Sequence, residues 1–251
     1  MENADWQYHS GTAEPSGGVY ETALEVDRAE FVDWIELENT DASAVDLTGW
    51  SLTDDSGDSR KWTFPPGTTI PANGHLLVLA DELDLTGLSP NFLHANFKLA
   101  RGGEYLALFD DSGAPRTEFS GGFPRQLDFH SYGLEPGGST YVYLSGPTPG
   151  KANAGPSFAG VVEKPDFDVP SGFHGGTVAL GITSLTPGAV IRYTTDGTDP
   201  TLTNGSTYST ALSLSQINSQ TAHTIRARAF LSGQIPSLSL IHISEPTRRY
   251  S

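Results

Sequence analysis

The chain has 251 residues and a mass of 26.7 kDa, and its 14 Lys and Arg against 30 Asp and Glu give a formal net charge of −16. That balance disfavours a nucleic-acid partner, which needs clustered cations, and no apolar run reaches the roughly 18 residues of a membrane-spanning helix. The 28 Gly and 17 Pro argue against a helical bundle, and the absence of Cys removes disulfide scaffolds and thiolate metal sites.

At roughly 100–200 residues per domain, this length holds one large domain or two modest ones. The first residues, Met1 to Asp5, are polar and carry no basic-then-apolar leader pattern. The best helical candidate, Thr22 to Phe31, is short, and no long helix is expected. The first clear strand is Phe31 to Glu38. Its alternation puts Phe31, Ile35 and Leu37 on one face and Glu36 and Glu38 on the other, so Trp34 is expected on the exposed side. Gly49 to Thr53 and Lys61 to Phe64 follow as strands joined by the acidic turn Asp54 to Asp58, and Pro65-Pro66-Gly67 stops the second. Leu76 to Ala80 is apolar on both faces and suits a central strand. Glu104 to Asp110, Arg116 to Phe119 and Tyr141 to Leu144 complete the first unit.

Pro147 to Pro156 cannot sustain a ladder and reads as a boundary. Beyond it, strands are expected at Thr177 to Ile182, Ala189 to Thr195 and Thr224 to Phe230, with Asp196-Gly197 as a turn signal. In the last of these, Ile225, Ala227 and Ala229 oppose Arg226 and Arg228. The fold class is therefore all-β, two β-sandwich domains in tandem.

Two resemblances rest on ordered words. Asp33-Trp34-Ile35-Glu36-Leu37-Glu38-Asn39, Leu47-Thr48-Gly49-Trp50-Ser51-Leu52-Thr53-Asp54-Asp55, Trp62-Thr63-Phe64-Pro65, Asn96-Phe97-Lys98-Leu99, Gly102-Gly103-Glu104 and Pro147-Thr148-Pro149-Gly150 resemble a bacterial lamin tail domain over 30–153. That likeness implies an immunoglobulin-like sandwich for 1–153, its first strand cut short if Met1 is the Met inside the family's opening strand. Thr186 to Thr201, Tyr208 and Thr224 to Ala229 resemble the small sandwich at the C-termini of chitobiases and β-hexosaminidases over 165–237, which leaves 154–164 as linker. Residues 238–251 fit neither family and read like one frame of a transposon-type sequencing adapter, a scar to be set outside the fold, the alternative being a natural Ser/Ile/Leu strand.

Motifs for chemistry are sparse. The seven His show no metal-binding spacing, and no nucleophile elbow, phosphate loop or dinucleotide fingerprint occurs. Asp54, Asp55 and Asp58 offer hard oxygens to calcium, against the plainer reading of a solvated turn. Trp34 is a stacking surface for sugars if exposed, and Arg226 and Arg228 share a strand face that fits an acidic glycan or plain solvent. The resemblances imply non-catalytic spacer, anchoring or weak ligand-binding modules of a larger secreted or cell-surface bacterial protein, with polysaccharide or envelope components and neighbouring domains as partners. The rival expectation is the accessory region of an enzyme, kinase-like of the spore-coat CotH type or a hydrolase, whose catalytic domain lies beyond this stretch. A lamin-like intracellular structural role is disfavoured because no coiled-coil heptads precede the tail module.

Overall fold

The computed structural model describes residues 4–9, 32–85, 93–174, 176–215 and 222–246. They contain no helix. The expected helix at Thr22 to Phe31 lies outside the described residues. Contacts divide the chain into units of 1–157 and 158–251, each with its own core.

In the first unit the strands are β1 (Ala4–His9), β2 (Asp33–Asn39), β3 (Val45–Asp46), β4 (Ser51–Thr53), β5 (Trp62–Thr63), β6 (Thr69–Ile70), β7 (His75–Ala80), β8 (Leu93–Ala95), β9 (Leu106–Phe109), β10 (Pro115–Phe119), β11 (His130–Leu134) and β12 (Tyr141–Ser145). The larger sheet runs β12-β11-β1-β2-β7-β8, antiparallel except for the parallel β7–β8 pair, and the smaller runs β10-β9-β4-β5. Between them lie Ile35 and Leu37 from β2, Val78 from β7, Leu52 from β4, Leu106 and Leu108 from β9, and Trp62 against Phe64. This is the β-sandwich that alternation predicts, of the immunoglobulin-like kind that the lamin-tail resemblance implies.

The outer face of the larger sheet is not a solvent face. Trp34, Glu36, Leu79 and Leu144 are all buried there. The chain after β12 covers part of it, because the Gly150 N–H donates to Glu36 Oε2. At the end of β2, Asn39 is buried and fully used: its amide donates to the carbonyls of Ser43, Ile70 and Pro71, and its Oδ1 accepts from the Asp41 N–H. Gly103 lies at φ 90°, where a Cβ would collide with the Phe123 carbonyl, so a side chain is excluded there on two counts.

The two-residue β13 (Ser157–Phe158) spans the division between the units. The second unit holds β14 (Asp166–Phe167), β15 (Gly172–His174), β16 (Val178–Leu180), β17 (Ile182–Thr183), β18 (Val190–Thr194), β19 (Ser206–Thr207), β20 (Leu212–Leu214), β21 (His223–Phe230) and β22 (Leu240–Pro246). Its main sheet runs β15-β22-β21-β18-β19, with β14–β17 and β16–β20 as small pairs. The expected linker is partly structural: the Val162 N–H donates to the Ile235 carbonyl, and Val162 is fully buried beside Ile182, Ala227 and Ala229.

Residues 240–246, expected outside the fold, pair with β21 from Ala227↔Leu240 to His223↔Ser244. The open edge of β21 supplies backbone partners to any extended segment laid along it. The side-chain pattern is inverted. His242 and Ser244 are buried, while Ile241 and Ile243 are 47% and 42% exposed. The His242 ring meets the backbone of Val169, which leaves one of its two buried nitrogens without a hydrogen-bond partner. Burial holds that ring below the usual histidine range, and the His174 ring, stacked with its centroid 6.5 Å away, pushes in the same direction. Because a buried unpaired polar group costs about 1–3 kcal/mol, His242→Val is expected to raise unfolding free energy by about that amount. Urea melts of the two proteins check this, and a less stable valine variant refutes it.

Candidate functional site

The acidic turn between β4 and β5 is built by short-range bonds. Asp55 Oδ1 accepts from the Gly57 N–H at 2.8 Å and Asp58 Oδ1 from the Arg60 N–H at 3.0 Å, so both carboxylates brace their own turn. Asp54 instead points at Lys61, whose Nζ lies 2.6 Å from its Oδ1 across the base of the hairpin. The three Asp do not converge, and among the described residues no group of three His, Asp or Glu side chains is placed to hold a metal ion.

What does pair is Asp54 with Lys61, with Glu104 near enough to feel both charges. Glu104, at the start of the segment leading into β9, accepts from the Ala100 N–H, and burial raises its pKa. The Asp54 charge raises it further and the Lys61 charge opposes both. Lys61 also sits over the Phe97 ring, 5.6 Å from its centroid.

Trp34 is a correction. It is 2% exposed, because the outer face of β2 is covered. Trp50 and Trp62 are buried, and Arg116 lies over the Trp50 ring while its guanidinium pairs with Asp110 at 2.7 Å. Trp6 falls on β1, whose side chains are outside the described set. No sugar-stacking strip forms from the three described tryptophans.

Glu36, which alternation placed in solvent, is 1% exposed. Burial pushes its pKa up to about 8, the Gly150 N–H works against that, and the nearby Glu38 charge adds to it. Its Oε1 has no partner. At neutral pH the group is therefore mainly protonated. Among the histidines, His94 is buried with its Nδ1 2.7 Å from Asp81 Oδ2.

In the second unit the arginines lie on the outer face of the main sheet, opposite Ile225, Ala227 and Ala229. Arg226 Nη2 pairs with Asp199 at 2.6 Å and its Nη1 donates to the Gly197 carbonyl, so it clamps the Asp-Gly turn. Arg228 Nε donates to the Ser237 carbonyl at 2.7 Å. Arg192 of β18 joins them, directly across from Arg228 in the ladder. Sequence alternation identifies Arg192 as outward-facing, but only the register makes it a neighbour of Arg228. Charge is unevenly divided: residues 1–157 carry 24 acidic and 8 basic side chains, residues 158–251 carry 6 of each.

Residues 12–123 match the family model described as Lamin Tail Domain, and residues 180–241 match the one described as Fn3 associated. Comparison with curated proteins gives no match. No helix among the described residues is long and apolar enough to cross a membrane.

Two outcomes follow from the first unit. Glu36 binds its proton more tightly folded than unfolded, so its contribution is complete below about pH 4.5 and is lost as pH rises toward about 8. Glu36→Gln should flatten the fall in melting temperature between pH 5 and 8.5 and leave the variant the more stable at the alkaline end; parallel pH profiles would refute it. Lys61→Met leaves the largely buried Asp54 without its ammonium and should lower stability by about 1–3 kcal/mol in denaturant melts. An unchanged midpoint would show that the ion pair contributes nothing.

Proposed function

We propose that this chain is a pair of non-catalytic accessory modules from a larger secreted or cell-surface protein, serving to space, anchor or weakly bind. The observation that carries the reading is the pair of separately cored β units in one chain, each overlapped by a module-sized family match. The words shared by 165–237 with chitobiase and β-hexosaminidase C-terminal modules support the same reading, since such sandwiches accompany carbohydrate-active proteins. A polysaccharide or another envelope component is the partner class this favours.

The test is retention of the purified chain on insoluble cell-wall material and on a glycan array, run beside assays for glycoside hydrolysis and phosphoryl transfer. Retention without turnover is the expected result. Turnover by the purified chain itself would overturn the reading, because accessory modules have no chemistry of their own.

A further inference from the structure

After β12 the chain of the first module loops out and comes back on itself. The Ser145 N–H donates to the Pro156 carbonyl at 2.9 Å, so the neck of residues 146–155 is closed. Glycine stands at each end of this loop, Gly146 at φ 81° and Gly155 at φ 94°, where any other residue would be strained. Inside the loop the Lys151 N–H donates to the Thr148 carbonyl at 3.1 Å and makes a turn. The loop is tied to the sheet through Asn153, whose Nδ2 donates to the Leu134 carbonyl at 2.8 Å, and through the Gly150 N–H, which donates to Glu36 Oε2. A closed neck, a glycine at either end and a contact at the tip are the parts of a lid.

The tip rests on a carboxyl group that is poorly provided for. Glu36 is 1% exposed, and its Oε1 has no partner among the described residues. Neutral, the group needs little more than the N–H that Gly150 offers. Ionised, it holds a charge in a dry place with a donor on one oxygen and none on the other, and such a charge costs more than one hydrogen bond returns. Burial accordingly outweighs the Gly150 N–H and pushes the pKa up to about 8.

The charged groups nearby do not offset this. Glu38 shares the face of β2 and adds to the rise. From β7 comes His75, 3.8 Å from Glu38, and the register of β1 sets Asp5 across from Glu38 and His9 across from Trp34. The lid itself carries Lys151, which is exposed. Water reaches an ionised Glu36 most directly when the segment resting on it lifts.

We propose that residues 146–155 are a proton-latched lid on the first module, closed over Glu36 while that carboxyl is neutral and lifted on its glycine ends when it ionises. The device goes beyond the spacing or binding role proposed above and does not depend on it. Proton linkage fixes its pH profile, because the closed form binds the proton more tightly than the open one. Opening should rise about tenfold per pH unit from about pH 5.5 to 7.5, where the open carboxyl is ionised and the closed one is not. Above about pH 8 both are ionised and the rise levels off.

The readout is trypsin cleavage after Lys151 in the full chain, followed at short times by mass spectrometry and normalised at each pH to a small peptide substrate in the same tube. When opening and closing are fast, the cleavage rate tracks the population of the open form. The parent rate should rise about tenfold from pH 6.5 to 7.5 and change little from pH 8.5 to 9. Glu36→Gln keeps an acceptor for Gly150 and cannot ionise, so its profile should be flat and slow. Asn153→Ala cuts the other tie and should raise the rate by a similar factor at every pH, with the parent's slope. Cleavage at Arg60 and Lys61, in the β4–β5 hairpin, should not depend on pH.

A flat parent profile overturns the lid. An equal slope in Glu36→Gln assigns the proton to another group and also overturns it, as does a flat profile in Asn153→Ala, where Glu36 is intact. Cleavage at Arg60 and Lys61 rising in step with Lys151 would make the event unfolding of the whole module, and local opening would be refuted.

Discussion

The first module depends on burying β2 on both faces. A strand with one wet face can carry polar residues there freely, but β2 packs Ile35 and Leu37 into the sandwich while Trp34 and Glu36 are covered on the other side. Every polar group it carries must then be satisfied from within. Asn39 does this completely, drawing Ser43, Ile70 and Pro71 onto one amide. Glu36 does it by half, taking the Gly150 N–H on one oxygen and keeping its proton on a carboxyl group whose other oxygen is unpaired. The Pro147-Thr148-Pro149-Gly150 segment is thus held to the sheet by a bond whose strength depends on the protonation of the residue beneath it.

The same rule explains the contrast between the two acidic clusters. Asp55 and Asp58 face solvent and need only their own turn. Asp54 and Glu104 lie where solvent is scarcer, and Asp54 takes Lys61 while Glu104 takes the Ala100 N–H. A hairpin rich in Asp looks like a metal loop when its carboxylates are counted along the chain; in space one of them is spent on an ammonium and the other two on backbone N–H groups.

Much of the fold was legible because alternation survives folding. Ile35 and Leu37 of β2 and Ile225, Ala227 and Ala229 of β21 are the core residues that a period of two selects, and β7 was legible as a run apolar on both faces. Strand β11 was not legible. Its buried outer-face positions are Ser131 and Gly133, across from Leu144 and Val142, so the large partners stand on the neighbouring strand and leave no hydrophobic signal in β11 itself. The wet face assumed for Trp34 and Glu36 failed for a related reason. Alternation states which residues share a face, and what later covers that face comes from a segment over a hundred residues away. Arg226 and Arg228 were legible as a face, but their partners were not: Asp199 neutralises Arg226, the Ser237 carbonyl holds Arg228, and the register sets Arg192 across from Arg228.

The second module shows what happens when backbone and side chains disagree. The edge of β21 accepts β22 because main-chain hydrogen bonding is indifferent to sequence, and the register then forces His242 and Ser244 inward and Ile241 and Ile243 outward. A slip of one residue would reverse all four, since the side-chain period in a strand is two. Hydrogen bonding holds the strand while burial opposes it, and that conflict is confined to one edge. The inner face beside it remains consistent, with Ile225, Ala227 and Ala229 packed between the sheets. The outer face of β21 is therefore positioned by the sound side of the sheet: Arg228 and Arg192 take their places from the β18–β21 ladder, five registered pairs long, and not from the strand whose polarity is inverted.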